Sequence, residues 1–319
     1  MPAPAWTTRE PGQYHRWFRT RRRSFAVDLS GSICALATPF DAHGDALDLD
    51  AFARLVDHQV ANGTRALVVA GSTGEAAALD EAEYVTLLEA AVGRARGRVP
   101  LLAGSGLSST RRTIAQTRRA AAAGIDVALV VAPAYVRPTQ EGLYRHYCEV
   151  ADHGGLPVVL YNVPSRTACD LLPETVARLR GHGNIIGIKE AVAEPARMQA
   201  LLELRDAGFR VHSGDDATAM RAMLAGADGV ISVAANVAPA LFAAMCEAAR
   251  ARDTEAAGAV DRRLQPLYAL LGIEPNPIPV KWCLSLLGFG AAGLRLPLLE
   301  LSASHRAECA TVLAGLGLG

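Results

Sequence analysis

ALVVAGSTGE, residues 66–75, opens with an unbroken apolar run and closes on Gly71-Ser72-Thr73-Gly74-Glu75. The run does not alternate polar with apolar side chains, so as a strand it is expected to be covered on both faces. The same pattern recurs along the chain. Apolar runs at 33–37, 66–70, 101–103, 127–132, 158–161, 185–188, 209–212 and 229–232 are each followed by a turn. Amphipathic stretches of roughly 10–17 residues lie between them. In the first stretch Phe52, Leu55, Val56 and Val60 share one helical face, and Asn62-Gly63 and Ala123-Gly124 act as helix stops. Eight strand–helix units predict an α/β fold, a parallel (β/α)8 TIM barrel over residues 28–252. A doubly wound open sheet is the alternative, but no Gly-x-Gly-x-x-Gly follows the first run, which weakens its dinucleotide-binding version. Beyond the eighth unit, 254–271, 277–287 and 302–313 read as three more helices, a C-terminal helical domain spanning 253–319. It is too apolar to stand alone and is expected to pack on the barrel or on a partner chain.

Composition narrows the function classes. The 319 residues carry 32 Lys+Arg against 32 Asp+Glu, which argues against a nucleic-acid-binding protein. Half the residues are hydrophobic, which excludes general disorder. The six cysteines are scattered with no C-x-x-C pair, so neither a disulfide framework nor a thiolate zinc site is expected, and a reducing cytoplasm is the natural compartment. The eight histidines form no H-x-x-x-H pair, so no metal site is expected. The uncharged stretch 229–246 contains Ser232, Asn236 and Pro239 and reads as a buried strand, a turn and a helix rather than a membrane span. Residues 1–27 lack the apolar core of a secretory signal. They carry a basic run, Arg16, Arg19, Arg21, Arg22 and Arg23, beside Trp17 and Phe18, and read as a disordered extension, with a targeting or anion-binding arm as the alternative. Only Lys189 and Lys281 are lysines; the other 30 basic residues are Arg. Amine chemistry therefore has two candidates.

In a barrel the chemistry gathers at the carboxyl ends of the strands. The residues there are Ser72 and Thr73 after the second run, Tyr135 after the fourth, Tyr161 and Arg166 at the fifth, Lys189 at the sixth, and Asp215 and Asp216 after the seventh. One amine, two phenols, a guanidinium and several hydroxyls point to a Lys attacking a carbonyl substrate to form a Schiff base. The amine must be neutral to react, so desolvation or a neighbouring cation is expected to depress its pKa. Phenols can move the protons and an Arg fork suits a substrate carboxylate. Asp215 and Asp216 are adjacent, point apart on an extended segment, and read as loop and helix-cap residues. Lys281 lies in a Pro-rich segment, EPNPIPVKW (274–282), and reads as packing.

The motifs at 71–75, 161–167 (YNVPSRT), 187–190 (GIKE) and 274–282 resemble the dihydrodipicolinate synthases, from about Leu29 to the C-terminus. The first and third belong to the wider pyruvate-dependent aldolase superfamily; the second and fourth are more specific to the synthase branch. The resemblance implies condensation of pyruvate with aspartate 4-semialdehyde in lysine biosynthesis, with no cofactor. It implies that Lys189 forms the Schiff base and that Tyr161 exchanges protons beside it. Ser72 and Tyr135 would complete the relay, Tyr135 reaching in from a neighbouring subunit. Ser72 and Thr73 would hold the pyruvate carboxylate, Arg166 the carboxylate of the aldehyde, and Ile231 would offer its carbonyl near the Lys. A dimer of dimers is implied.

Three departures matter. Ser72 stands where synthases usually carry Thr, and Gly-Ser-Thr-Gly-Glu is also common in sialic-acid lyases, which keeps a sugar-acid lyase open as the rival; a catalytically silent barrel is the third reading. Ala134 replaces an interface Tyr. Feedback-inhibited synthases have a Glu near Arg112, an Asn near Ser108 and a His near Tyr84. A cation at Arg112 repels a lysine ligand, so weak or absent lysine inhibition is expected.

Overall fold

Eight parallel strands close on themselves in chain order in a computed structural model that describes residues 27–318. They are β1 (Gly31–Ala35), β2 (Ala66–Val69), β3 (Leu101–Gly104), β4 (Val127–Val131), β5 (Val158–Asn162), β6 (Ile185–Glu190), β7 (Arg210–Ser213) and β8 (Gly229–Ser232). Between them run α1 (Leu49–Ala61), α2 (Glu81–Ala95), α3 (Thr110–Ala123), α4 (Gln140–His153), the one-turn α5 (Pro164–Thr167), α6 (Pro173–Leu179), α7 (Pro195–Leu202) and α8 (Ala219–Ala225), and α9 (Pro239–Arg250) follows β8. The C-terminal helices are α10 (Thr254–Leu271), α11 (Ile278–Leu286) and α12 (Ala303–Leu316). The (β/α)8 barrel and its three-helix extension are thus observed. The basic run at 16–23 lies outside the described residues.

The non-alternating runs resolve into two cores. Ile33, Ala35, Ala66, Val68, Leu102, Val127, Leu129, Val159, Tyr161 and Ile231 fill the barrel. Their neighbours in sequence, such as Cys34, Leu67, Leu101, Ala128 and Val158, face the helices. Leu29, ahead of β1, joins the inner core and plugs the amino end, where His212 Nε2 donates to its carbonyl at 2.6 Å. Burial pushes that imidazole toward neutrality. The first run stops being strand at Ala35 because a side chain replaces the ladder. Asn236, fully buried in the turn after β8, accepts from Ala37 N (3.0 Å) and donates to Ala35 O (2.8 Å) and Val233 O (2.9 Å). The uncharged stretch 229–246 accordingly divides into β8, a short turn at Ala234–Asn236 and α9, and no described helix is long and apolar enough to cross a membrane.

Asn236 therefore closes the β8–β1 seam. Asn236→Ala removes the side-chain partners of two buried backbone groups, Ala37 N and Ala35 O, each worth about 1 kcal/mol or more, while Val233 O keeps the backbone N–H of residue 236. Urea unfolding is expected to show a loss of about 2 kcal/mol; a loss below about 1 kcal/mol would contradict this account of the seam.

Candidate active site

Tyr161 and Lys189 are register partners on β5 and β6, and Lys189 Nζ lies 4.4 Å from the centre of the Tyr161 ring. Both are buried, at 8% and 5% exposure. Their meeting depends on an irregularity. Val158 pairs with Ile185, but Val159 pairs with Gly187, so β6 carries one extra residue. Without it Lys189 would face Asn162 and point out of the barrel, because a one-residue slip exchanges the faces of a strand. The stem of Lys189 is confined by Gly214, after β7: a Cβ there would sit 2.9 Å from Lys189 Cε and 3.1 Å from Ala191 Cβ.

The remaining sequence-predicted residues surround this pair unequally. Ile231 lies on β8 with its side chain in the inner core. Ser72 is half-buried and Thr73 buried, in the turn after β2. Asn276 Nδ2 donates to Thr73 Oγ1 at 3.1 Å, and its carbonyl accepts from Arg166 Nη2 at 3.0 Å. One residue of the C-terminal segment thereby ties the β2 turn to the β5 loop. Tyr135, after β4, stands apart. It is 91% exposed with a left-handed backbone (φ 74°), and its N–H donates to Thr167 O. Asp215 caps Thr218, as a turn residue does. Asp216 accepts from Val233 N and Ala234 N, so it caps the turn after β8 rather than the following helix. Burial raises its carboxyl above the ordinary range.

On the outer face the same register brings Asn162 against Glu190. Asn162 Nδ2 donates to both Glu190 oxygens at 3.1 Å and to Asp170 Oδ1 at 2.9 Å, while Asn162 Oδ1 accepts from Leu171 N. Val192 N donates to Glu190 Oε1, and Arg197 bridges Asp170 (2.5 Å) and Glu190 (3.6 Å). Burial raises Glu190 to about 6 against these donors.

An inward Lys beside a Tyr at the carboxyl end of a barrel, with hydroxyls in the turn after β2 and an Arg in the loop after β5, suits covalent chemistry on a carbonyl acid. Comparison with known proteins agrees. The model of the dihydrodipicolinate synthetase family matches residues 28–315. The chain belongs to that family. Within it, the 4-hydroxy-tetrahydrodipicolinate synthase of Xanthomonas axonopodis pv. citri is 61% identical over 88% of this chain and 92% of its own length. That of Pseudomonas aeruginosa is 49% identical over 86% and 94%. Among solved structures, the dihydrodipicolinate synthase of Acinetobacter baumannii complexed with pyruvate matches with a TM-score of 0.89 and 40% identity, over 91% of this chain and all of that one.

For this member of the dihydrodipicolinate synthetase family, sequence reading assigned no role to Asn276, Glu190, Asn162 or Gly214. Asn276, Asn162 and Glu190 were legible only as parts of motifs; Gly214 needed the packing. Gly214→Ala pushes against the flexible end of Lys189 rather than against backbone. It is expected to leave unfolding nearly unchanged while lowering the rate of borohydride trapping with pyruvate about tenfold or more; an undiminished trapping rate would show that Lys189 has room to spare. Glu190 supplies a pH test. Its folded carboxyl binds protons more tightly than the free group at 4.5, so its stabilising contribution is present at low pH and lost as pH rises from 4.5 to about 6. Relative to Glu190→Gln, wild-type unfolding free energy is expected to drop by about 2 kcal/mol over that window. A pH-independent difference in urea titrations would refute the assignment.

Proposed function

We propose that this protein is a lyase that condenses pyruvate with L-aspartate 4-semialdehyde, through a Schiff base on Lys189, to give 4-hydroxy-tetrahydrodipicolinate on the diaminopimelate route to lysine. The observation that carries the proposal is the buried Tyr161–Lys189 pair inside the barrel mouth. The family match and the identity to relatives of that name support the substrates and do not favour a sugar-acid lyase.

The Lys189 amine adds to the pyruvate ketone and water leaves, giving an imine that withdraws electrons from the methyl carbon. That carbon loses a proton, and the enamine forms a C–C bond to the aldehyde, whose oxygen takes up a proton. The amino group of the second substrate then attacks the imine carbon, closes the ring and releases Lys189 as free amine. Tyr161, the phenol beside the amine, is the group placed to carry these protons. Ser72 and Tyr135 extend the relay, and Thr73 with Ser72 holds the pyruvate carboxylate. Arg166 is exposed and already oriented by Asn276 O, which suits capture of the incoming carboxylate. Ile231, at the end of β8, completes the wall by the Lys.

Tyr135 reaches solvent in one chain, which supports a site completed by a second copy, and the family reading makes the assembly a dimer of dimers. Six free, buried cysteines support a cytoplasmic setting. Arg112 is exposed near Ser108, whose hydroxyl donates to Ala134 O, and that cation supports weak or absent inhibition by lysine.

Incubation with pyruvate and borohydride is expected to leave a reduced adduct on Lys189, and Lys189→Ala to lose both adduct and condensation. An adduct on Lys281, or no adduct, would sink the reading. Condensation is expected to persist at millimolar lysine; half-inhibition below that would overturn the account of Arg112.

A further inference from the structure

The second lysine has no part in the chemistry above, yet it is as buried as the first. Lys281, on α11, is 2% exposed and its Nζ sits 2.6 Å from Glu75 Oε1, a carboxylate with a side-chain exposure of 2%. Glu75 closes the 71–75 turn in a left-handed conformation (φ 51°) and donates its N–H to Ser72 O at 3.2 Å. Its other oxygen accepts from Arg295 N at 3.1 Å. Phe40 lies under both cations, 4.2 Å from Lys281 Nζ and 4.4 Å from Arg295 Cζ. Arg295 is in turn fixed by two bonds to Glu83. Five residues before Lys281, Asn276 holds Thr73 Oγ1. The turn that carries Ser72 and Thr73 is thus gripped from the C-terminal segment at two points, and one is a desolvated ion pair.

A buried pair of this kind is a poor device for stability alone, since an apolar pair of similar volume often serves as well or better. Composition points the same way. Thirty of 32 basic residues are Arg, and Lys persists at only two positions, both enclosed. At 281 a compact ammonium meets one carboxylate oxygen, whereas a guanidinium is wider and carries five donors in a fixed fork.

We propose that the Lys281–Glu75 pair is a positioning device for the turn that holds the carboxylate of the keto-acid substrate, so that Lys281 governs pyruvate binding without touching pyruvate. This rests on the functional reading above. Lys281 acts through Glu75 on the Ser72 and Thr73 donors; it takes no part in Schiff-base chemistry, which stays with Lys189.

The test compares wild type, the double variant Glu75→Gln/Lys281→Met and the single variant Lys281→Arg. The double variant removes both charges at similar volume, so no unpaired buried ion remains. For both, the pyruvate concentration giving half-maximal borohydride trapping and the KM for pyruvate are expected to rise about tenfold or more, with kcat and the KM for the aldehyde within about threefold of wild type. A folded double variant with wild-type pyruvate KM overturns the proposal. Lys281→Arg with wild-type pyruvate KM also overturns it, and this arm decides if the double variant fails to fold. A parallel fall in kcat and in affinity for both substrates would mark a merely structural pair and overturn it as well. Failure of the wild-type enzyme itself to trap pyruvate would strike the functional reading instead, which keeps the two failures apart.

Discussion

In a closed parallel barrel each strand offers its side chains alternately to the inside and to the helices, and hydrogen bonding to both neighbours fixes that alternation. The site depends on where this parity is broken. Strand β6 accommodates one extra residue opposite β5, and everything after it is turned over: Ile188 packs outward and Lys189 inward, level with Tyr161. The same step turns Glu190 to the outer face, level with Asn162, which β5 already presents there. The inner pair is useful only if the outer pair is satisfied, and the outer pair includes a carboxylate taken out of water. Asn162 and Val192 supply its donors, Arg197 adds a cation 3.6 Å away, and the residual cost appears as a raised affinity for protons.

A second constraint concerns the rim. Six described residues other than glycine have left-handed backbones: Ala70, Glu75, Tyr135, Arg137, Ala168 and Arg252. All but Arg252 lie in loops that follow β2, β4 or β5, at the carboxyl ends of the strands. Such conformations persist only where surroundings over-determine them. For Glu75 the surroundings come from outside the barrel, from Lys281 and Arg295. The C-terminal segment is therefore more than a cap on hydrophobic surface. It sets the shape of the turn on which the hydroxyls stand, and through Asn276 it orients the guanidinium across the mouth.

Much of this was legible in the chain. Strands with two buried faces announce themselves as unbroken apolar runs, and all eight lie where those runs do; the three C-terminal helices match their expected spans within a few residues. What escaped was local or three-dimensional. The run at 209–212 enters the sheet only at Arg210, because Phe209 is engaged in a bridge with Asp206. The bulge in β6 has no sequence mark beyond a glycine in an apolar run. Asp216 read as a helix cap because it precedes a helix, but the amide groups that reach it belong to the turn after β8. Lys281 read as packing because its partner is more than two hundred residues earlier, in a motif already given another use.

These separations divide the polar groups into layers with different duties. The inward layer, Tyr161 and Lys189, is held by strand pairing and must be rigid, since a displaced amine misses the carbonyl. The turn layer, Ser72 and Thr73, sits on irregular backbone and borrows rigidity from a buried ion pair. The outermost group, Tyr135, makes no side-chain hydrogen bond to any described residue and keeps a strained backbone in the open. On the proposed function its order comes from a second subunit. The order of increasing distance from the barrel wall is then also the order of increasing dependence on something other than the barrel: first strand register, then the C-terminal segment, then another copy of the chain. On that proposal, a barrel that folds correctly supplies the nucleophile outright, but the grip on substrate and the full relay arise only when the outer layers have docked.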